Sequence, residues 1–298
     1  MKLLRALNWT LSRIIILVTL IVLTLSGYVL WSNYRTYEDV RDVYENIIQV
    51  KPNEDSDVKS GFNELKEINP DVYGWVTLDG TNIDYPILQG ENNMEYIDKD
   101  VYGNFSLAGS IFLDSRNNSD FKDSYSLTYG HHMSNHLMFG DLDLYKDKEF
   151  FETNRTATLM SETDITKMTV LAVLQVPDST DEIFDPSLWG EDLTDLAIYI
   201  QNNAIHIWDD AIKELFDNPT TTQAVALATC SDGNTGDRTV VILIAHRDLV
   251  SEDTPPDTGD SLFNSPIFWF MLIFISLIGL IILGILIFKK DDKKKRSV

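Results

Sequence analysis

Two long apolar segments lie near the ends of the chain, at residues 14–31 and 267–288. Glycines and a few hydroxyl-bearing side chains are their only interruptions. Each segment has about the length that a helix needs to cross roughly 30 Å of hydrocarbon. We therefore predict two transmembrane helices with a water-soluble region between them.

Basic residues flank both segments on their outer sides. Lys2, Arg5 and Arg13 precede the first segment, and five lysines and one arginine follow the second. The positive-inside rule then predicts cytoplasmic termini, 1–13 and 289–298, and an extracellular middle. The first segment could instead be a cleaved signal peptide, and the second a sorting tail removed after translocation. No clean small-x-small cleavage site follows the first segment and no sorting pentapeptide precedes the second, which favours two retained anchors.

Helical spacing of apolar residues occurs at three places between the anchors. Residues 34–50 continue from the membrane as a helix, within an extracellular stalk over 32–61, and a short second helix follows around Phe62, Leu65 and Ile68. Residues 192–216 carry an apolar stripe long enough to predict one amphipathic helix packed on a sheet. An acidic linker with prolines, 249–266, leads back to the second anchor.

Short β-branched and aromatic runs predict strands through the rest of the domain, which we place at 62–248. A turn at Asp79-Gly80 separates the first two strands as in a hairpin. The predicted strands are 75–78, 83–88, 110–114, 125–129, 156–160, 167–176, 224–229 and 239–244. Many short strands with few helices predict a mainly β fold, either a closed barrel or a sandwich.

Charge excludes one class of partner. The net charge is −22, whereas binding to nucleic-acid phosphates requires clustered Lys and Arg. We therefore predict that the chain does not bind nucleic acid.

The single cysteine, Cys230, follows the predicted strand 224–229 directly. Oxidising compartments usually pair cysteines, so an unpaired one outside the membrane is either incidental or kept for its reactivity. A nucleophilic thiol needs a base and a group that stabilises an oxyanion. Arg238, at the start of the next strand, is a candidate for the second task, although it could simply pair with Asp232 or Asp237 on the surface.

Three of the five histidines, His131, His132 and His136, follow the predicted strand 125–129. Gly130 lies before His131, and a glycine at a strand end permits close approach of backbone and substrate. The three histidines could instead bind a metal, but the chain has no HExxH or CxxC motif. The residues by themselves leave catalysis and a structural role both open.

Several segments resemble class B sortases, in the order in which that family carries them. Residues 227–230, Leu-Ala-Thr-Cys, resemble the TLxTC signature, and Arg238 has the spacing of the family's arginine. Residues 129–133 and 138–142 resemble its histidine segment, and 69–75, 83–87 and 110–114 resemble the start of its domain. The resemblance covers about residues 62–247.

This resemblance implies an eight-stranded closed β-barrel with N-terminal helices and a long helix between strands 6 and 7. It implies a cysteine transpeptidase that needs no metal or other cofactor. The implied catalytic residues are His131, Cys230 and Arg238, and the implied substrate-binding residues are Leu227, Ala228 and Thr229. His132 matches a second, non-catalytic histidine of the family, and Arg247 is a weaker alternative to Arg238.

Two positions depart from the family pattern and affect the expected substrate preference. Ala226 replaces the first threonine of the signature, and Ala228 replaces a serine that class B members often carry. The implied substrates are secreted proteins or pilins with a C-terminal sorting signal, and the acceptor is an amine of a pilin lysine or of the peptidoglycan cross-bridge. The second anchor favours pilus assembly. The Asp-Pro-aromatic lid of class C enzymes is missing from the N-terminal segment, and Asp185-Pro186 lies too late in the chain to serve as one.

Two rival functions are retained. An extracellular cysteine protease would form the same acyl-enzyme and release it to water. A non-enzymatic sensor or adhesion ectodomain would carry Cys230 incidentally.

Overall fold

The computed structural model describes residues 2–53, 58–133, 135–229 and 236–245. Cys230, Arg247, the linker 249–266, the second apolar segment 267–288 and the basic tail lie outside the described residues. The chain divides into two compact units, and the one that contains the β domain runs from Asn33 to Asp253.

Six α-helices and three short 3-10 helices occur in the described residues. The α-helices are α1 Lys2–Ile47, α2 Val58–Ile68, α3 Lys148–Thr153, α4 Asp181–Phe184, α5 Thr194–Asn203 and α6 Asp209–Asp217. The 3-10 helices are Ile48–Val50, Gly140–Lys146 and Pro186–Leu188. Within the described residues, the stretch Ser12–Val50 is the one long and apolar enough to cross a membrane, and it includes the predicted span 14–31.

The described strands number eleven. They are β1 Val72–Leu78, β2 Asp84–Leu88, β3 Ile111–Leu113, β4 Tyr125–Gly130, β5 His132–Met133, β6 Leu137–Met138, β7 Thr156–Ser161, β8 Ile165–Pro177, β9 His206–Ile207, β10 Gln223–Thr229 and β11 Asp237–Ala245. All eight predicted strands are confirmed, with ends shifted by a few residues. The two-residue strands β5, β6 and β9 were not predicted.

Eight strands close into a barrel, in the order β11-β10-β4-β3-β2-β1-β7-β8, with β8 pairing back onto β11. The β2–β3 and β4–β10 pairs are parallel, and the other pairs in the ring are antiparallel. The small β9 adds to β8, and β5 and β6 form a separate hairpin. The predicted mainly β fold with an eight-stranded closed barrel is therefore confirmed.

Alternate residues of β10 and β11 belong to two hydrophobic clusters on opposite faces of the barrel wall. Ala226 and Ile242 belong to the cluster that includes residues of α5 and α6, whereas Leu227 and Val241 belong to the one that includes the 3-10 helix Gly140–Lys146. Because both faces are buried, these strands are almost continuous apolar runs rather than alternating ones.

The prediction of a single helix over 192–216 is wrong. Helix α5 ends at Asn203, the chain pairs with β8 as β9, and α6 then begins at Asp209. The backbone N–H of Ile205 donates to the carbonyl of Val173, and that of Trp208 donates to the carbonyl of Leu171. Pairing with β8 thus replaces helical hydrogen bonds in the middle of residues 192–216. Both helices bury the same apolar side, so the periodicity of the stripe did not reveal the break.

The predicted N-terminal helices are confirmed as α1 and α2. Near its end, α1 packs on the barrel through the buried Val40 and Ile47, and the rings of Tyr44 and Tyr85 have centroids 5.3 Å apart. Helix α2 buries Phe62 and Leu65 before the break at Asn69-Pro70. The positions of the helices between the sixth and seventh barrel strands, β8 and β10, agree with the prediction, apart from the break.

Candidate functional site

Three strand ends meet at one edge of the barrel. Strands β4 and β10 run parallel with Thr229 opposite Gly130. His131 comes directly after Gly130 in sequence, and Cys230, which lies outside the described residues, comes directly after Thr229. On the other side of β10, the backbone N–H of Thr239 in β11 donates to Thr229 Oγ1 at 3.1 Å. The residue before Thr239 is Arg238.

A backbone carbonyl orients His131. Its imidazole is half-buried, and Nε2 lies 2.7 Å from the carbonyl oxygen of Ile97, in the long β2–β3 connection. A carbonyl only accepts, so Nε2 carries the proton of this hydrogen bond. Nδ1 is then the nitrogen left for acid–base chemistry.

Close packing explains the glycine before His131. A Cβ at Gly130 would lie 2.4 Å from Cδ1 of Ile111 and 2.7 Å from the ring of Phe139. A larger residue would push the end of β4 away from its neighbours. Gly130 therefore sets how closely the backbone before His131 packs on the barrel.

Arg238 lies over an aromatic ring. Its guanidinium carbon is 5.2 Å from the ring centroid of Phe184, the last residue of α4. Its Nε is buried and has no hydrogen-bond acceptor among the described residues. Phe184 in turn stacks on Tyr129, with 6.5 Å between centroids and 16° between ring planes. A donor that is held in place and lacks an acceptor is suited to a charge that develops on a bound substrate.

Arg116 holds the segment that carries Phe184. Its guanidinium donates two hydrogen bonds of 2.8 Å to Asp114 and one of 2.6 Å to the carbonyl of Phe184. It also pairs with Asp185 at 3.0 Å. Asp114 is completely buried and also accepts from the Tyr129 hydroxyl. One buried carboxylate thus connects the ring beneath Arg238 to the strand that leads to His131.

The charges in this cluster stabilise one another. Burial by itself raises the pKa of Asp114, but hydrogen bonds from Arg116 and Asn93 lower it below its ordinary value. Burial raises the pKa of the Tyr129 hydroxyl well above its ordinary value, with a further contribution from the charge of Asp114. Asp114 is therefore an anion and Tyr129 a neutral donor at neutral pH.

The three clustered histidines have separate partners. His131 contacts the Ile97 carbonyl, whereas His132 Nε2 donates to Asp143 at 3.0 Å and His136 Nδ1 donates to Asp141 at 2.6 Å. Across the parts of the chain that the structure describes, no group of three His, Cys, Asp or Glu side chains converges as metal ligands would. The alternative of a metal site formed by these histidines has no support from their geometry.

The predicted substrate-binding residues lie in the wall of the barrel. Leu227 and Ala228 are fully buried and Thr229 is 3% exposed. Their strand pairs on both sides, with β4 and with β11. None of the three presents an exposed side chain, so a role in substrate binding stays a prediction.

Ile97, Arg116, Asp143 and Phe184 were not predicted as parts of the site. Ile97 acts through its backbone, which no side-chain motif reveals. His131 and Ile97 are 34 residues apart, and Arg116 and the Phe184 carbonyl are 68 apart. One sequence signal could have indicated Arg116. Asp114 ends the apolar strand in segment 110–114, and a carboxylate buried there needs a charged or hydrogen-bonding partner.

No family model matches the chain. The chain is 31% identical over 169 residues to Sortase B of Listeria monocytogenes, a match that covers 57% of this chain and 67% of that protein. Among solved structures, a class B sortase of Streptococcus pyogenes involved in pilus biogenesis is 35% identical, with a TM-score of 0.54, and the match covers 62% of this chain and 97% of that one. The Staphylococcus aureus sortase B–substrate complex is 25% identical, with a TM-score of 0.56 and coverage of 63% and 85%.

These relatives agree with the closed barrel. The resemblance found in the sequence is therefore confirmed at the level of the family. The chain belongs to the class B sortases, which are cysteine transpeptidases.

Proposed function

We propose that this sortase cleaves a C-terminal sorting signal of secreted proteins and joins the new carbonyl end to an amine, through a thioester on Cys230. The observation that carries the proposal is the pairing of Thr229 with Gly130 at the end of β4 and β10. Neighbouring strands are about 4.8 Å apart, so Thr229 and Gly130, the residues that precede the thiol and the imidazole in sequence, lie side by side. A nucleophile and its base need this proximity.

The β10–β11 ladder supports a place for Arg238 in the same site. Ala228 pairs with Val240, and the Thr239–Thr229 hydrogen bond continues that register by one residue. If β10 were extended by one residue more, Arg238 would be level with position 230. Its buried Nε and its support by Phe184 favour a role at the oxyanion.

The proposed chemistry has two half-reactions. The Cys230 thiolate attacks the threonine carbonyl of the signal, the C–N bond to the next residue breaks, and His131 donates a proton to the departing amine. The acceptor amine then attacks the thioester, gives a proton to His131 and releases the thiolate as the C–S bond breaks. Arg238 stabilises the negative charge on the carbonyl oxygen in both steps.

Leu227, Ala228 and Thr229 are proposed as the floor of the substrate site. Their burial favours a role in holding the segment that ends at Cys230. A substrate would then contact this strand only at its end, beyond Thr229.

A pilin lysine is the acceptor that we favour, with the peptidoglycan cross-bridge as the alternative. The similarity to a sortase involved in pilus biogenesis supports the first. The second apolar segment, 267–288, supports it too, as an anchor of the kind found in pilin-polymerising sortases. The cross-bridge alternative rests on the general chemistry of the family, because either amine could attack the same thioester.

The proposed layout places the catalytic domain, 62–248, outside the cell. The anchor 14–31 and stalk 32–61 precede it, and the linker 249–266 and anchor 267–288 follow it, with both termini in the cytoplasm. The candidate membrane helix Ser12–Val50 supports the first anchor. Tethering would confine enzyme and substrate to one surface and raise their effective concentration.

The test is cleavage of fluorogenic sorting-signal pentapeptides by the full chain and by a Cys230→Ala variant. The full chain should cleave at least one peptide and show the thioester by mass spectrometry, and the variant should do neither. Addition of triglycine or Nα-acetyl-lysine should give amine-linked product, which separates a transpeptidase from the rival protease. Turnover by the Cys230→Ala variant would remove the thiol mechanism, and hydrolysis with no amine-linked product would favour the protease.

A further inference from the structure

Asp143 accepts hydrogen bonds from three side chains on different parts of the fold. It lies in the 3-10 helix Gly140–Lys146. Its Oδ2 accepts from His132 Nε2 at 3.0 Å, and its Oδ1 accepts from Thr239 Oγ1 at 2.5 Å and from Lys146 Nζ at 2.7 Å. Both carboxylate oxygens are therefore occupied.

Two of these partners are sequence neighbours of proposed catalytic residues. His132 follows His131, and Thr239 follows Arg238. The backbone of Thr239 also donates to the side chain of Thr229, the residue before Cys230. The Asp143 carboxylate therefore connects, directly or through Thr239, the residues next to His131, Cys230 and Arg238.

The sheet links the β4 and β11 segments only indirectly, through β10. Strands β4 and β11 flank β10 and do not pair with each other at this edge, so they are two strand spacings, roughly 10 Å, apart. The ladders also end here, at Thr229 opposite Gly130. A group from outside the sheet that contacts both segments can fix their separation beyond the last ladder pairs.

Asp143 lies on a backbone segment that is anchored in the hydrophobic core. Its neighbour Leu142 and the nearby Tyr145 are fully buried in the cluster on this side of the barrel wall. The carboxylate itself is half-buried, and its partners favour the charged form. Burial raises its pKa, but hydrogen bonds from His132, Lys146 and Thr239 outweigh burial and lower the pKa far below its ordinary value.

We propose that Asp143 is a positioning residue, which holds the His131 segment and the Arg238 strand at the separation that acyl transfer requires. It would contact neither substrate nor thiol and would act through His132 and Thr239. The proposal rests on the proposed function for the roles of His131, Cys230 and Arg238. A misplacement of about 1 Å in such a site can cost on the order of 100-fold in rate.

The test compares Asp143→Ala with the full wild-type chain in peptide cleavage. We expect kcat to fall by roughly 10- to 100-fold, with a much smaller change in KM, because the peptide contacts are kept and the alignment is lost. Asp143→Asn should restore part of the rate, since an amide oxygen can still accept from Thr239. A matched control is Asp210→Ala on α6, which removes an ion pair with Arg155 and should leave kcat unchanged.

A second variant guards against a folding defect in Asp143→Ala. Thr239→Val keeps the shape and removes the hydroxyl donor, so it should lower kcat in the same direction. The double variant should be no slower than Asp143→Ala alone, because both changes break one link. Additive losses, or a kcat for Asp143→Ala within twofold of the wild type, would overturn the proposal.

Alkylation of Cys230 by iodoacetamide separates this proposal from the proposed function. The chain has one cysteine, so the labelling rate reports that thiol without any sorting peptide. If wild type cleaves no peptide, the proposed function fails, while Asp143 is still tested by this rate. We expect labelling to slow severalfold in Asp143→Ala and to stay unchanged in Asp210→Ala; equal rates in all three proteins would overturn the positioning role.

Discussion

The guanidinium of Arg238 lies over the ring of Phe184, with 5.2 Å between the guanidinium carbon and the ring centroid. Phe184 stacks on Tyr129, and Tyr129 lies two residues before His131. The aromatic pair thus supports the arginine from one side and the histidine strand from the other.

Replacing Phe184 with Leu should weaken catalysis without unfolding the domain. A cation over an aromatic ring gains about 0.5–2 kcal/mol, so kcat/KM should fall by between twofold and about 30-fold as Arg238 loses its support. Phe184→Tyr keeps the ring and should stay near wild type. Leu188→Ala, at an exposed position of the same segment, is the matched control. Equal rates for the Leu and Tyr variants would show that the ring face does not matter.

Arg238→Lys should lower kcat strongly even though the charge is retained. Lysine lacks the planar fork and the Nε donor, which is buried here without an acceptor among the described residues. One missing oxyanion donor costs on the order of 100-fold in kcat. Steady-state rates with a cleaved peptide measure the effect. A near-normal kcat would limit Arg238 to a structural role.

His131→Ala should be far more damaging than His132→Ala. General acid–base catalysis contributes about 10²- to 10⁴-fold, and that loss belongs to His131 in the proposed mechanism. His132 donates to Asp143, so its removal should cost only part of the alignment. Rates of thioester formation for the two variants, measured by rapid quench and mass spectrometry, provide the comparison. Losses of similar size would undo the assignment of His131 as the proton carrier.

Arg116→Met should destabilise the domain, because it leaves the buried Asp114 carboxylate without its main donors. The expected loss is about 1–3 kcal/mol of unfolding free energy, measured by urea denaturation. Arg155→Met, which removes the ion pair with Asp210, is the control and should cost less.

The ion pair between Asp114 and Arg116 predicts a change of stability with pH. The pKa of Asp114 is lowered in the folded protein, mainly by Arg116 once burial is overcome. The unfolded state therefore binds the proton more readily. The stability from this group is present above the unfolded pKa of about 4 and is lost as the pH falls through the folded value. Arg116→Met should flatten this acid limb; an unchanged limb would show that other carboxylates dominate it.

The local pattern of apolar and turn residues was enough to predict most of the barrel. All eight ring strands could be predicted, because a strand buried on both faces must be a short β-branched and apolar run between turn residues. The helix prediction over 192–216 failed at β9 because the apolar stripe continues across the break. There the hydrogen bond from the Ile205 N–H to the Val173 carbonyl sets the backbone conformation. That bond depends on a strand position that is 32 residues away in sequence.

The sequence alone determined the family resemblance, the barrel strands, the lone thiol and the motifs around His131 and Arg238, since these depend on residues close together in the chain. Tertiary structure decided that the Ile97 carbonyl orients His131, that Phe184 lies beneath Arg238, and that Asp143 joins their strands. Asp143 and Thr239 are 96 residues apart. Contacts of that separation exist only after the barrel has closed, because closure brings strand ends together that share no local pattern.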